Sequence, residues 1–374
     1  MLGSLDPWKG ITPYCEEVFS GLEEYGTPIQ FMNWEQLYPR WLYPGGDPKK
    51  ADAEPPQQSN VLNVLSWWNP ASWYRAARRT RGEIVHAQWW SFPLIGAYLG
   101  YLWLVKRRGH TVVLTVHDVK PHERSLVNNA LNRLIYLIAD HFVVHSEENK
   151  HTLCSEYDID TDRVTVIPHP TIQNVPSSGV TTEEAKSFLG VPQEDDVLLL
   201  FGGIRDYKGI DILLRLLPDI LERREDLTLL IAGACWDDWE KYERIIDEEG
   251  VRDHVKTRVE FIPDDEIEYY FAASDLVVFP YRHFDAQSGV ASVANFFGVY
   301  SIGFDRGGLA DQITETVDNE AELVDRIAEL LEEGPDPPSS GGEVDNRECM
   351  KKHADLYSRL HAETEAEAGT GSDR

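Results

Sequence analysis

Short runs of apolar residues, each followed by a helical pattern, recur in both halves of this 374-residue chain. Thr111–Val116 and Val197–Phe201 are the clearest, because nearly all their side chains suit a strand that is buried on both faces. Strands of this kind alternate with helices in α/β proteins whose sheets are largely parallel. The chain is also longer than one hydrophobic core usually organises. The sequence therefore predicts two α/β domains.

A loop-rich stretch, Thr171–Asp196, separates the two halves and contains Pro, Ser, Gly and acidic residues. Such a composition favours a domain boundary. The sequence predicts an N-terminal domain at 1–185 and a C-terminal domain at 186–345. A helix at 346–363 is expected to pack back on the N-terminal domain, and residues 364–374 are expected to be a disordered tail. The segment Met1–Leu5 is expected to be a fragment of a first β-strand.

The formal net charge is −29, and the acidic residues are scattered along the chain. Such a field repels nucleic acid and anionic lipid, so we expect no nucleic-acid partner. Arginine outnumbers lysine by 23 to 12. A dispersed acidic surface with little lysine is typical of a halophilic protein that stays soluble in high salt; an ordinary acidic cytosolic enzyme is the alternative.

The four cysteines are isolated and form no CxxC pair, so a cytoplasmic protein with reduced thiols and no zinc site is expected. Met1–Pro7 lacks the features of a signal peptide. The longest apolar stretch, Phe92–Val105, is too short to span a bilayer. It ends in Lys106-Arg107-Arg108, which favours the C-terminal end of a buried helix and leaves a contact with the inner membrane surface as the alternative.

The most specific motif is Gly202–Gly209, where a buried strand runs through a glycine-containing loop into a helix. Gly203 lets a ligand approach the backbone, and the N-terminus of the helix is positive. Arg205 and Lys208 add two cations that suit a pyrophosphate whose negative charge grows as a bond breaks. The spacing is neither a Walker loop nor GxGxxG. The motif predicts a phosphate site; two solvated charges on an ordinary turn are the alternative.

A second candidate phosphate site, Pro280–Val290, follows the predicted strand Leu276–Phe279. It ends at the start of a helix, where backbone N–H groups near Gly289 and the hydroxyl of Ser288 can receive a phosphate. An ordinary capped loop is the alternative. Two such sites at the carboxyl ends of parallel strands in one sheet indicate a ligand crevice more strongly than either does alone.

The N-terminal half offers candidate residues for the second substrate. His117 follows the strand Thr111–Val116 and is expected at the carboxyl end of the sheet, where it can bind a sugar hydroxyl or assist deprotonation of the acceptor. A structural histidine next to a capping Asp118 is the alternative. His86, Trp89 and Trp90 are candidates for an acceptor-binding wall, with core packing of the tryptophans as the alternative.

Five motifs together resemble the retaining glycosyltransferases of family 4, also called group 1, which have the GT-B fold. The motifs are FGGIRDYKG (Phe201–Gly209), FPYRHFDAQSGV (Phe279–Val290), GFDRGGLADQI (Gly303–Ile313), TVHD (Thr115–Asp118) and VVHSEENKHTL (Val143–Leu153). The resemblance covers nearly the whole chain. It implies two facing Rossmann-like domains, with the donor bound by the C-terminal one and the acceptor by the N-terminal one.

The resemblance also implies roles for single residues. Arg205 and Lys208 resemble the pair that neutralises the donor diphosphate, and Gly10 resembles a glycine that lies next to it. His117 resembles the histidine near the reacting sugar. Many members also carry two glutamates with seven residues between them; here the first position falls on Asp285 and the second, which usually touches the ribose, on Val293.

The expected activity is therefore retaining transfer of a sugar from a nucleotide-sugar donor to a glycan, a glycolipid or a related acceptor. The resemblance implies neither a metal nor a cofactor. Two alternatives stay open: a sugar-nucleotide epimerase with the same fold, and a non-catalytic subunit that supports a glycan-assembly complex. The base, the sugar and the acceptor are not determined by the sequence.

Overall fold

The computed structural model of the chain describes residues 1–5, 11–38, 58–90, 92–119, 126–172, 175–284, 288–334 and 346–371. The chain divides into two units. Unit 1 consists of Met1–Pro170 and Val344–Arg374, and unit 2 of Thr171–Glu343. Each unit has α/β architecture with parallel strands, as predicted.

Unit 1 has six parallel strands and a short parallel segment at its N-terminus. Its strands are β1 (Phe31–Gln36), β2 (Val61–Ser66), β3 (Ile84–Trp89), β4 (Thr111–Val116), β5 (His141–Val144) and β6 (Val164–Val166). β1 pairs with β2, and β3 to β6 form a four-stranded sheet. Leu2 bridges Met32 of β1 and Ala87 of β3 in parallel, so the short segment at the N-terminus joins the two parts.

The helices of unit 1 cover both faces of this sheet. They are α1 (Thr12–Glu24), α2 (Pro70–Arg79), α3 (Ile95–Lys106), α4 (Leu126–Tyr136) and α5 (Glu147–Tyr157). One buried cluster contains Ala76 of α2, Tyr98 of α3 and Ile135 of α4. The other contains α1 residues such as Val18 together with the C-terminal part of the chain.

Unit 2 has a six-stranded parallel sheet in the order β12-β11-β10-β7-β8-β9. The strands are β7 (Asp196–Phe201), β8 (Leu227–Ala232), β9 (Val255–Arg258), β10 (Leu276–Phe279), β11 (Tyr300–Phe304) and β12 (Glu315–Val317). The helices are α6 (Thr182–Leu189), α7 (Ile210–Leu221), α8 (Glu240–Glu248), α9 (Ile267–Ala272), α10 (Gly289–Phe296) and α11 (Glu320–Glu333). Buried clusters lie on both faces of the sheet.

The boundary between the units lies after Pro170 rather than after residue 185. The stretch 175–190 belongs to unit 2 because it is bonded to that unit. The buried carboxylate of Glu268 accepts hydrogen bonds from the backbone N–H groups of Ser178 and Val180 (2.7 and 3.1 Å), and α6 packs on α9. α6 lies in the predicted loop, where Thr181 and Glu184 form a capping box.

The C-terminal helix, α12 (Asn346–Gly371), belongs to unit 1 and packs against α1. It continues through most of the predicted disordered tail 364–374. The segment after residue 360 is rich in Ala and Glu, which are good helix formers. The helix therefore extends beyond Leu360, the last buried one among its described side chains. Among the described residues, no helix combines the length and the apolarity needed to cross a membrane.

Candidate functional site

Lys208 lies in a short turn, Asp206–Lys208, between β7 and α7. Its side chain is only 5% exposed, and its Nζ donates a hydrogen bond of 2.9 Å to the carbonyl oxygen of Phe201. Nζ also lies 5.6 Å from the ring centre of Tyr281. No ion pair between described residues includes Lys208. Burial, with a smaller contribution from Arg205, lowers its pKa to about 7. Such a cation is suited to receive an anionic ligand.

Two glycines bring the first loop against the second. Gly209 has φ of +67°, and a Cβ there would lie 1.9 Å from the carbonyl oxygen of Pro280. Gly202 has φ of +87°, and its Cβ would lie 2.9 Å from Val290 Cγ2 and 3.0 Å from Lys208 Nζ. Since β7 and β10 are neighbours in the sheet, the two predicted phosphate loops converge at one edge of unit 2.

Arg282 ties the two loops together. Its backbone N–H donates to the carbonyl oxygen of Tyr207 (2.8 Å), and its guanidinium pairs with the carboxylate of Asp211 in α7. The same guanidinium donates to the carbonyl oxygen of Asp206 (2.7 Å). The charge of Arg282 is therefore used within the protein, whereas Arg205 and Lys208 lack carboxylate partners among the described residues.

Arg205 is exposed, and its guanidinium carbon lies 4.9 Å from the ring centre of Trp236. Trp236 follows β8 and is itself 44% exposed. The loops after β7 and β8 are paired: Ile204 N donates to Ala234 O (2.8 Å), and Trp236 N donates to Ile204 O (3.0 Å). This pairing places an open aromatic face beside Arg205. Sequence reasoning missed Trp236, although a tryptophan shortly after the largely apolar strand β8 was a signal for it.

Gly203 completes this side of the site. A Cβ on Gly203 would lie 3.3 Å from Trp236 Nε1, so a side chain here would press on the indole. The absence of a side chain keeps the backbone between Lys208 and Trp236 accessible. That Gly203 lets a ligand approach the main chain stays a prediction.

Ser288 and Gly289 begin α10. The Ser288 hydroxyl accepts a hydrogen bond from Ala291 N (3.3 Å), and the Ser288 N–H donates to Gln312 Oε1 (2.6 Å). Ser288 thus caps the helix, and its hydroxyl is less open to a phosphate than the sequence suggested. Gly289 is exposed, so the predicted phosphate contact at this helix start falls to the first N–H groups of the helix rather than to the Ser288 hydroxyl.

In unit 1, His117 lies at the carboxyl end of β4 and is 8% exposed. His145 Nδ1 lies 2.9 Å from the Ile167 carbonyl oxygen, so it carries the proton. His145 Nε2 therefore accepts from His117 Nδ1 (3.4 Å), which leaves His117 Nε2 as an acceptor. The side-chain amide of Gln88 lies 3.0 Å from His117 Nε2, and it satisfies this acceptor when its NH₂ group faces the ring.

This network keeps His117 neutral. Burial, followed by the neighbouring His145, His169 and His86, lowers its pKa well below the usual range. Tyr14 packs edge-on against the His117 ring, with ring centres 4.7 Å apart. Both ring nitrogens of His117 already have partners within unit 1.

The other acceptor candidates lie deeper than the sequence suggested. His86 is 2% exposed and is bonded to Tyr357 Oη and Thr115 Oγ1, each at 2.6 Å. Trp89 is also 2% exposed and donates through Nε1 to Asn132 (2.9 Å). Neither ring presents a face to solvent. Trp90 is half-buried and packs edge-on against Tyr98; it keeps a partly open surface.

Two predicted donor residues, Gly10 and Asp285, lie outside the described residues. Val293, at the place of the second glutamate, packs against the buried cluster under α10. Within the described residues, no group of three or more His, Cys, Asp or Glu side chains is arranged to hold a metal ion.

Two family models match the chain. The one described as Glycosyltransferase Family 4 matches residues 39–171, and the one described as Glycosyl transferases group 1 matches residues 181–347. The D-inositol 3-phosphate glycosyltransferase of Corynebacterium aurimucosum is 26% identical over 313 residues, which are 76% of this chain and 70% of the relative. The same-named protein of Corynebacterium diphtheriae is 26% identical over 68% of this chain and 64% of its own length. The chain spans about two thirds of these relatives.

Solved structures show the same architecture. The Anabaena protein HepE in complex with UDP-glucose superimposes with a TM-score of 0.69 at 15% identity, over 96% of this chain and 99% of HepE. A glycosyltransferase of Rickettsia africae gives a TM-score of 0.66 at 16% identity, over 96% and 97% of the two chains. The fold is therefore GT-B. Because a family 4 model and a group 1 model match successive parts of the chain, the protein is a glycosyltransferase.

Proposed function

We propose that the chain transfers a sugar from a nucleoside-diphosphate sugar to an acceptor hydroxyl, with retention of the anomeric configuration. The observation that carries this proposal is the buried Lys208, which has no carboxylate partner among the described residues and lies beside Arg205 where two strand-to-helix loops meet. An anion of two phosphates fits this arrangement of two cations, an open glycine backbone and a helix start.

In the proposed reaction the bond between the anomeric carbon and the diphosphate oxygen breaks, and a bond to the acceptor oxygen forms on the same face of the sugar. The acceptor hydroxyl gives its proton to the departing diphosphate oxygen. The negative charge that develops on the diphosphate is stabilised by Lys208, Arg205 and the first N–H groups of α10. Because no protein nucleophile takes part, the main demand on the protein is to position the two substrates.

We assign His117 a positioning role in unit 1. Its two ring nitrogens are bonded to Gln88 and His145, so it is poorly placed to take a proton from the acceptor. Trp90 is the acceptor candidate that keeps an open surface. We infer an acceptor with several hydroxyl groups, a glycan, a glycolipid or a polyol, which is consistent with the inositol phosphate in the names of the relatives.

We further propose that the donor nucleotide is UDP, because the structurally similar HepE is seen with UDP and with UDP-glucose. The test compares UDP, GDP and ADP by titration calorimetry with the full chain. We expect measurable binding of UDP and at least tenfold weaker binding of Lys208→Met and of Arg205→Gln. Transfer from UDP-glucose to candidate acceptors, followed by NMR of the product anomer, tests the reaction and its stereochemistry.

Lys186→Met is the matched control. Lys186 is also buried in unit 2 (7% exposed), but its Nζ donates to the carbonyl oxygens of Gln193 and Asp195 (3.2 and 2.7 Å). Its substitution tests the general effect of removing a buried ammonium. UDP binding by Lys208→Met that equals the wild-type value would contradict the proposed diphosphate site, and binding of none of the three nucleotides would favour a non-catalytic role.

A further inference from the structure

Three consecutive helices of unit 1 differ in charge from the rest of the chain. The sequences of α2, α3 and α4 contain no Asp or Glu, although the whole chain has 64 acidic residues among 374. Each helix instead carries Arg or Lys in its last turn. The stretch 68–108, which includes α2 and α3, holds seven of the chain's 35 basic residues and one acidic residue, Glu83.

The three helices lie side by side. α3 packs against both α2 and α4, and the ring of Trp73 in α2 lies directly against Gly100 in α3, where a Cβ would meet it at 2.4 Å. β2, β3 and β4, which precede the three helices, belong to parallel ladders, so the helices that follow them run back in a common direction. Their C-terminal ends therefore meet at the amino-end edge of the sheet, opposite the edge at which His117 lies.

At these ends large apolar side chains are exposed among the cations. Trp103 is 49% exposed and Leu137 is 82% exposed. The Arg107 guanidinium lies 4.5 Å from the Trp103 ring centre. We define the basic–apolar face by six residues from the three helices and the turns that follow them: Arg78, Arg79, Trp103, Arg107, Arg133 and Leu137.

One cation of this face is bonded within unit 1, because the Arg133 guanidinium donates to the Glu156 carbonyl oxygen (3.2 Å). The other three have no carboxylate partner among the described residues. Lys106, at the end of α3, pairs with Asp140, but no ion pair between described residues includes Arg78, Arg79 or Arg107. All three are exposed. Ion pairs within the fold therefore do not account for these three arginines, and an external anionic surface explains the local reversal of charge better.

We propose that the basic–apolar face docks on an anionic lipid bilayer. The scattered acidic residues repel such a surface from the rest of the chain, so charge complementarity confines the contact to this face. Trp103 and Leu137 are exposed at the same helix ends as the arginines, and aromatic and aliphatic side chains beside cations enter the headgroup layer. Nucleic acid would use the cations but would leave Leu137 exposed. The inference does not depend on the proposed sugar transfer.

The test is sedimentation of the full chain with vesicles of phosphatidylcholine, with and without an equal amount of phosphatidylglycerol. We expect binding only to the anionic vesicles at low salt and weaker binding as salt shortens the Debye length. The variant R78Q/R79Q/R107Q should bind at least about tenfold more weakly. W103A/L137A should also bind more weakly, and its deficit should persist when salt has screened the charges.

R215Q/R223Q/R244Q is the matched control, because it removes three exposed arginine charges from unit 2. It should bind vesicles as the wild type does, and circular dichroism of all variants checks that they are folded. Absent binding to anionic vesicles, or equal losses in the control and the R78Q/R79Q/R107Q variant, would overturn the proposal. So would tighter binding of a DNA duplex than of vesicles, or a concentration-dependent dimer that the R78Q/R79Q/R107Q variant abolishes.

Discussion

The ammonium of Lys208 donates a hydrogen bond of 2.9 Å to the carbonyl oxygen of Phe201, the last residue of β7. A carbonyl oxygen is a dipole and does not cancel a full positive charge. Burial, and to a smaller extent Arg205, lowers the pKa of Lys208 to about 7. Without a bound anion, the Lys208 side chain is therefore partly charged and partly neutral near neutral pH. A diphosphate favours the charged form.

The first prediction is that UDP binding takes up a proton at Lys208 above pH 7. Affinity should fall by up to about tenfold for each pH unit above 7, because the neutral lysine must first be protonated. Titration calorimetry at pH 8 in buffers of different ionisation enthalpy measures the proton uptake. Lys208→Arg stays charged at this pH and should remove the pH dependence. An unchanged slope in this variant would assign the proton to another group.

The second prediction concerns the contact of Gly209 with the carbonyl oxygen of Pro280. Gly209→Ala should destabilise unit 2, because the new Cβ would lie 1.9 Å from that oxygen. Gly190→Ala is the control, since Gly190 has nearly the same φ, +66° against +67°, and nothing within 4 Å of its Cβ. We expect about 1–2 kcal/mol for the control and at least about 2 kcal/mol more for Gly209→Ala in urea unfolding. Equal losses would contradict the close approach of the two loops.

The third prediction concerns the packing of α2 on α3. Gly100→Ala should cost about 1–3 kcal/mol, because the Trp73 ring lies 2.4 Å from the new Cβ and is held by a hydrogen bond from Nε1 to the Ser66 carbonyl oxygen (2.7 Å). Gly96→Ala, one turn earlier with the ring at 3.9 Å, should be neutral or stabilising by up to about 1 kcal/mol. Urea midpoints of the two variants that coincide would show that the ring moves freely aside.

The alternation of apolar strands with helices was enough to predict two parallel α/β units, because strands buried on both faces consist mostly of apolar residues instead of alternating with polar ones. The loop Gly202–Gly209 was also predictable, since its glycines and cations are neighbours in sequence. Trp236 was not, because its place beside Arg205 depends on pairing between the loops after β7 and β8, which are 30 residues apart.

His86 illustrates the opposite failure. In a strand whose two faces are both buried, the sequence does not reveal which polar residue faces the core and which lies at the edge. His86 is satisfied by Tyr357, 271 residues later in the chain, and no local pattern announces that partner. Ser288 resembled a phosphate ligand for a related reason, because its use as a helix cap and its bond to Gln312 depend on tertiary structure.

The last prediction follows from the buried histidines of unit 1. Burial is the largest cause that lowers the pKa of His145 and of His353 to about 4 and that of His169 to about 3. In the unfolded chain these groups bind protons near pH 6.5, so between pH 6.5 and the folded-state values the unfolded chain holds more protons. Stability is therefore fully present above pH 6.5 and is lost as the pH falls.

Each of these histidines should contribute a loss of about 1.4 kcal/mol per pH unit once the pH is well below 6.5. The window from pH 6.5 to 4.5 separates this effect from carboxylates such as Glu268. Burial acts to raise the pKa of Glu268, but hydrogen bonds from residues 177–180 outweigh burial and lower that pKa to about 2. The contribution of Glu268 to stability is therefore lost only below about pH 4.5. Urea unfolding in this window, followed by tryptophan fluorescence, reports mainly unit 1, because nine of the eleven tryptophans precede residue 171.

His353→Gln should reduce the slope of stability against pH in this window by about 1.4 kcal/mol per pH unit, because one buried proton acceptor is removed. The exposed His151 provides the control, and His151→Gln should leave the slope unchanged. If both variants keep the wild-type slope, the loss of stability in acid arises from carboxylates. The buried histidines would then be protonated in the folded state without lowering the free energy of unfolding. That outcome would also imply that water reaches His353, which is 0% exposed, and would contradict the packing of α12 on unit 1.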